Sequence, residues 1–207
     1  MLFRSVEILS HLEEERAADV LEEMSPDDAA DLIAELPPET ANALLELMEP
    51  DEAEDVRRLM SYVEDTAGAM MTPEPVILGP DATVADALAH VRNPDLTPSL
   101  ASQVYVCRQP LETPTGKFLG VGHIQRLLRE MPSSLVAGAL DDGETLRPEM
   151  TIDEVAAHLA TYNLVAAPVV DENGHLLGAV TVDDLLDHML PEGWRDRARA
   201  DRGRGRG

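Results

Sequence analysis

Residues 13–60 read EEERAADVLEEM, SPDDAADLIAEL, PPETANALLELM and EPDEAEDVRRLM, one twelve-residue unit written four times without a gap. So short and strict a repeat fixes the architecture of this stretch before any single residue is interpreted. The fifth column is always alanine (Ala17, Ala29, Ala41, Ala53), the eighth is Val20, Leu32, Leu44 and Val56, and the twelfth is Met24, Leu36, Met48 and Met60. Spacings of three and four place these columns on one face of a short α-helix. Pro26, Pro38 and Pro50 fill the second column of three units, where proline suits a first helical turn and ends the helix before it. Ser25 is expected to cap its helix with its hydroxyl, and Asp27 and Asp28 put negative charge at the positive end of the helix dipole. Units this short cannot hold together alone, so their apolar stripes must stack into a small solenoid.

Charge narrows the partners. The 207 residues carry a formal −24; the tail from Trp194 holds six arginines (Arg195, Arg197, Arg199, Arg202, Arg204, Arg206) against Asp196 and Asp201, leaving residues 1–193 at −28. Such a body repels nucleic-acid backbone and anionic membrane. It attracts cations, and hard divalent ions suit crowded carboxylates; the plainer alternative is a solvated acidic surface. Cys107 is the only cysteine, which excludes a disulfide framework and a cysteine-based zinc cluster. The longest apolar stretch, proline aside, is Leu164–Val170, far short of a bilayer span, and no signal peptide is visible. The chain is expected to be soluble and cytoplasmic.

After residue 60 a longer repeat takes over. PDATVADALAHV (80–91) matches PEMTIDEVAAHL (148–159), each reading as a threonine-capped amphipathic helix with an acidic residue three after the cap. FLGVGHIQRLL (118–128) matches LLGAVTVDDLL (176–186), each a strand running into a helix. The first copy has a longer loop with Pro110, Pro114 and Gly116; in the second, Asp171-Glu172-Asn173-Gly174 is a hairpin turn between the strands 167–170 and 176–181. Each copy therefore reads strand–helix–strand–strand–helix, and two copies would pack around a pseudo-twofold axis. The fold class is α+β.

The TPEPV start, the capped helix and APVVDENGHLLGAVTVDDLL together resemble a tandem pair of CBS motifs over about 71–191. The acidic solenoid, joined through SYVEDTAGAMMTPEPV (61–76), resembles the N domain of the MgtE magnesium-transporter family. The resemblance implies an acidic helical domain over 1–60, a linker over 61–72, a first CBS motif over 73–135, a second over 136–191 and a disordered Arg/Gly tail over 192–207.

CBS motifs use Gly-h-h-(Ser/Thr)-x-x-Asp, where h is apolar, to bind the ribose of an adenine nucleotide. A carboxylate can accept from both ribose hydroxyls, while a hydroxyl and amides at a helix start meet phosphate. The second copy carries the pattern as Gly178, Thr181 and Asp184, with Thr151, Ala166, Ala167 and Pro168 implied to line the same cleft. The first copy departs, with His123 in the hydroxyl position and Arg126 in the carboxylate position. An arginine cannot accept from ribose, so that cleft is either nonfunctional or the arginine reaches phosphate. The plain reading of Thr181 is a helix cap, with Asp183 and Asp184 favourably placed in the first turn.

The resemblance also implies Mg²⁺ bridging carboxylates of the solenoid and the CBS pair. The matching residues are Asp28 and Asp31 in the solenoid and Asp183, Asp184 and Asp187 after the last strand. Asp28–Asp31 and Asp184–Asp187 are i,i+3 pairs whose mutual repulsion a cation would relieve. Mg²⁺ keeps several waters and takes one or two carboxylates, so weak water-bridged sites fit better than a tight cage. The six histidines show no ligand spacing, and no nucleophile–base pair or glycine-rich phosphate loop suggests an enzyme.

The expected function is a non-catalytic, cytosolic Mg²⁺-sensing module, homodimeric through its CBS pair, with ATP, ADP or AMP as candidate second ligands. Its output would be a membrane transport domain or another effector protein. The alternative is an interaction scaffold dimerised by the CBS pair, whose shape metal does not change. Whether the chain is a stand-alone relative or a piece of a larger product stays open.

Overall fold

The computed structural model describes residues 12–191 together with Leu9 and Trp194; the Arg/Gly tail beyond Trp194 lies outside the described residues. Two compact units emerge, one of residues 1–61 with 186–207 and one of residues 62–185.

In the first unit the twelve-residue repeat becomes α1 (Glu14–Glu22), α2 (Pro26–Ala34), α3 (Pro38–Leu47) and α4 (Pro50–Met60). The fifth-column alanines close the first turns: the N–H groups of Ala17, Ala29, Ala41 and Ala53 donate to the carbonyls of Glu13, Ser25, Pro37 and Glu49 at 2.9–3.0 Å. All four alanines are buried. Each helix packs on the next but one, α1 against α3 and α2 against α4, and a small side chain in the fifth column lets the backbones approach. Ser25 does not cap as expected. It stands in the N-cap backbone position, but its hydroxyl donates to Asp28 at 3.1 Å instead of accepting from a backbone N–H. A different cap appears between repeats of the first unit, where the N–H of Glu49, ahead of α4, donates to the Glu22 carboxylate at 2.6 Å.

The inward stripe departs from the expected columns at both ends of the described stack. Val20 is 42% exposed while Leu21 is 1%, and Met60 is 39% exposed while Leu59 is 1%. Leu21, Ile33 and Leu45, the ninth column of the first three repeats, are buried, while Arg57 takes that place, exposed, in the fourth. In α4, burial lifts Asp55 above the usual carboxylate range even with Arg58 2.6 Å away.

The second unit holds both copies of the longer repeat. The first copy gives β1 (Ile77–Leu78), α6 (Val84–His90), β2 (Gln103–Cys107), β3 (Phe118–His123) and α7 (Ile124–Leu127), after a short α5 (Ala67–Met70) in the segment preceding it. The second gives α8 (Ile152–Tyr162), β4 (Ala166–Val170), β5 (Leu176–Thr181) and α9 (Val182–Met189). β1 runs parallel to β2, and β2 antiparallel to β3; β4 and β5 form an antiparallel pair.

The duplication is visible at the level of single pairings. Leu78 sits beside Val106 in a parallel ladder, and Leu146 makes a parallel bridge with Val169. Register shifts fall between Val106 and Cys107 and between Val169 and Val170, the same place in each copy. The expected first strand of the second copy shrinks to that single bridge, because exposed Glu144 and Thr145 stand where the first copy has buried Val76 and half-buried Ile77. Both helix caps form as read. Asp86 accepts from the Thr83 N–H and hydroxyl and Thr83 from the Asp86 N–H, while Glu154 accepts from the Thr151 N–H and hydroxyl.

The segment before the first copy is built into the second. The N–H groups of Ala67 and Gly68 donate to Met150 and Pro148 carbonyls, Thr72 exchanges two 2.9 Å backbone bonds with Ala179, and Met70 and Met71 are fully buried. The segment between the copies serves the first copy in the same way: Val84 and Ala85 donate to Ser134 and Pro132, and Thr83 bridges Leu135 as Thr151 bridges Thr66. The matching AGA triplets at 67–69 and 137–139 are the sequence trace of this third paired element.

A shared core joins the copies, with Tyr105, Cys107 and Val121 from the first against Val170, Leu176 and Ala179 from the second. Lys117 bridges His175, and the N–H of Phe118 donates to the Gly174 carbonyl, so the two hairpins meet edge to edge.

Candidate functional site

The nucleotide candidates divide between two places in the second unit. Thr181 ends β5 with 1% exposure and its hydroxyl donates to Asp184 at 2.6 Å, while the Asp184 N–H donates back at 3.3 Å. This is the reciprocal arrangement that starts α9, so the plain capping reading of Thr181 is realised. Ala166, Ala167 and Pro168 pair with Thr181, Val180 and Ala179 in the adjoining strand and are buried. Thr151 is engaged elsewhere, with Glu154 and with Thr66.

Two residues that the motif did not flag complete this neighbourhood. Gln103, 2% exposed, reaches from β2 to the Ala166 carbonyl at 3.3 Å and to the Tyr105 hydroxyl at 2.6 Å. Burial drives the Tyr105 phenol well above its ordinary range, so that hydroxyl stays neutral. Ser99, nearly buried, donates a short hydrogen bond to Asp183 across the copies. A glutamine opening an otherwise apolar strand was a legible sign of buried polar work; Ser99 carried no such sign. Gly178 has a packing reason as well: a Cβ there would collide with the Thr72 carbonyl and press on Met71 at 3.0 Å.

The corresponding place in the first copy is filled by an ion pair. Arg126 donates to Asp141 at 2.5 Å, and His123 stands 3.9 Å from the other oxygen of the same carboxylate. Arg126, donor-only and engaged with Asp141, cannot accept from ribose hydroxyls as the carboxylate of the motif would. The second cleft fits better, because Thr181 and Asp184 supply the hydroxyl and carboxylate that a ribose–phosphate would need. A separate hollow of about 430 Å³ lies beside the hairpin turn, lined by Arg147, Glu149, Asp171 and Glu172 among others. There Asp171, which partial burial alone would push up, is held below its usual range by hydrogen bonds from His175 and Asn173.

Each of the five metal candidates has a protein neighbour. Asp28 accepts from Ser25 at 3.1 Å, Asp183 from Ser99, Asp184 from Thr181 and Asp187 from the Trp194 indole at 3.0 Å, and Asp31 lies 3.6 Å from His188. Among the described residues no group of three or more His, Cys, Asp or Glu side chains is placed to hold a metal ion. The donor chemistry, hard oxygens taken one or two at a time, suits an ion that keeps most of its water.

The sequence profile of the MgtE intracellular N domain matches residues 4–65, and that of the CBS domain matches residues 141–191. A crystal structure of the soluble part of a magnesium transporter superposes with a TM-score of 0.80 at 31% identity, covering 89% of this chain and 71% of that one. The chain belongs to the MgtE family. The cytosolic domain of the Mg²⁺ channel MgtE in complex with ATP gives a TM-score of 0.73 at 33% identity, covering 88% of this chain and 78% of that one. The magnesium transporter MgtE of Thermus thermophilus is 34% identical over 143 residues, 69% of this chain and 31% of the relative. The Bacillus subtilis magnesium transporter MgtE is 32% identical over 146 residues, 68% of this chain and 30% of the relative. The chain thus spans about a third of the length of these curated relatives. The architecture, a helical MgtE N domain followed by a CBS pair, is that of the MgtE cytosolic part. Among the described residues, no helix is long and apolar enough to cross a membrane.

Proposed function

We propose that this chain is a cytoplasmic, Mg²⁺-responsive regulatory module without catalytic activity, acting on a membrane transport domain or an equivalent effector. The observation that carries the reading is the match to two solved structures, the soluble part of a magnesium transporter and the ATP-bound cytosolic domain of MgtE, over most of both chains at 31% and 33% identity. The carboxylate surplus of the helical unit supports it. Seventeen acidic side chains stand against three arginines between residues 12 and 60, and closure of such a surface on further aspartates costs Coulomb energy until a divalent ion neutralises it. Asp28 and Asp31 in α2, with Asp183, Asp184 and Asp187 in α9, are the side chains we assign to this ion. Each would act through one or two contacts to a hydrated Mg²⁺. A homodimer through the CBS pair completes the proposal.

Adenine nucleotide is the second proposed ligand, because the ATP-bound MgtE cytosolic domain shares this architecture and the second copy keeps Thr181 and Asp184. We assign Thr181 and Asp184 to ribose and phosphate, with Thr151, Ala166, Ala167 and Pro168 framing the cleft. A nucleotide that competes for the Asp184 carboxylate must replace the Thr181 hydroxyl contact now held at 2.6 Å. Calorimetry with ATP, ADP and AMP tests this. One site per chain is expected, with its heat greatly reduced in Asp184→Ala; equal heats in both proteins would remove the ribose role from Asp184. For the metal, the melting temperature should rise with Mg²⁺ in proportion to the logarithm of its concentration above Kd. No rise would leave the scaffold reading standing.

A further inference from the structure

The two clefts of the second unit match residue by residue in backbone. Val121 and Asp141 exchange two 2.9 Å backbone hydrogen bonds in the first copy, and Ala179 and Thr72 exchange two of the same length in the second. His123 ends β3 as Thr181 ends β5. Gly120 and Gly178 correspond as well, since a Cβ on either would collide with a backbone carbonyl of the incoming segment, Asp141 in one case and Thr72 in the other. On the same backbone the side chains are exchanged. Where the second copy has Thr72 on the incoming segment and Asp184 at the helix start, the first has Asp141 and Arg126. The carboxylate thus lies on the opposite side of the first cleft, and a guanidinium takes the place that a carboxylate holds in the second. Arg126 closes on Asp141 at 2.5 Å and on the Leu140 carbonyl at 3.5 Å, while His123 stands 3.9 Å from the other Asp141 oxygen.

We propose that this exchange makes the two clefts unequal, the Arg126–Asp141 pair excluding adenine nucleotide from the first. The inference rests on the proposed nucleotide role of Thr181 and Asp184 in the second. Coulomb strength is not the reason for the exclusion, because the two side chains are 44% and 50% exposed and such a pair is worth little by itself. The reason is the matching of donors to acceptors. A ribose offers two hydroxyls that need an acceptor, whereas arginine carries N–H donors alone. Asp141 turns to a ribose only by releasing Arg126, and the hydrogen bonds so lost offset those gained. His123 adds a ring where the second copy has the compact Thr181 hydroxyl. Arg126 is therefore a specificity-determining residue: it decides how many nucleotides one CBS pair takes.

Amide chemical shifts of the full chain, followed to saturation with ATP, read the difference without any substitution. Amides of Thr181–Leu186 should move several-fold further than those of His123–Leu128. ATP-induced shifts of equal size in both segments would overturn the proposal, as would His123–Leu128 shifts that persist undiminished in Asp184→Ala. A second arm copies the second cleft onto the first with the triple variant His123→Thr, Arg126→Asp, Asp141→Thr. Calorimetry should then find one more ATP per chain than in the parent, in the unaltered background and in Asp184→Ala alike. No added site in a triple variant whose circular dichroism spectrum is unchanged would overturn the proposal. Should that variant lose its fold, the shift comparison in the unaltered chain decides alone. Failure of the second-cleft reading shows itself differently: the unaltered chain would bind no ATP while the triple variant binds one.

Discussion

Asp184 has two tasks, as the partner of the Thr181 hydroxyl at the start of α9 and as the proposed carboxylate for ribose or Mg²⁺. The tasks separate by mutation. Thr181→Val removes the cap and should cost about 0.5–2 kcal/mol of stability. Asp184→Asn keeps the size and should cost ATP about 10- to 100-fold in affinity, the worth of a charge-assisted hydrogen bond; calorimetry and thermal melting on both variants check this. A sharper residue-level case is Gly68, where a Cβ would meet the Tyr62 ring at 2.5 Å. Gly68→Ala should lower the melting temperature of the second unit, whereas Gly138→Ala at the matching AGA triplet meets open space and should be nearly neutral. The first-copy departure at His123 and Arg126 was visible in the sequence, but its consequence was not. Only folding brings Asp141 to within 2.5 Å of Arg126, and nothing in the order of residues announces that pairing.

At the scale of elements, the stack of short helices rests on alanines whose burial leaves no room for growth. Ala29→Leu should cost about 1–3 kcal/mol through overpacking. Leu21→Ala should cost about 2–5 kcal/mol, while Val20→Ala changes stability by under about 0.5 kcal/mol; urea melts of the three variants decide whether Leu21 rather than Val20 carries the core face of α1. The column of alanines, the helix starts at proline and the two threonine caps were legible because local periodicity and capping chemistry dictate them. The exposure of Val20 and Met60 was not, since it depends on which faces the neighbouring helices cover. Nor was the shrinkage of the second copy's first strand, or the docking of Ala67–Thr72 beside β5, because non-local pairing chooses among segments that look alike in sequence. Hydrogen bonds from Thr83 and Thr151 hold Asp86 and Glu154 below their ordinary ranges. A depressed carboxylate stabilises the fold above its unfolded value and ceases to as pH falls through the folded one. The second unit should therefore lose stability as pH falls through and below the ordinary carboxylate range, and an Asp86→Asn, Glu154→Gln double variant should show a flatter acid limb in thermal melts.

For the whole molecule, the account turns on electrostatic self-repulsion that a divalent ion relieves. A charge of −28 on residues 1–193 makes any close approach of the acidic helices to further carboxylates unfavourable at low ionic strength. Neutralisation should act on shape as well as on stability, which separates a switch from a scaffold. Changing Asp28, Asp31, Asp183, Asp184 and Asp187 together to asparagine should abolish the response to metal while leaving the CBS pair folded, as read by the circular dichroism spectrum. Small-angle scattering of the full chain with and without millimolar Mg²⁺, at matched ionic strength, separates the switch from the scaffold. A Mg²⁺-driven closure gives a smaller radius of gyration with Mg²⁺ than with monovalent salt of the same ionic strength; an identical radius in both would rule that closure out.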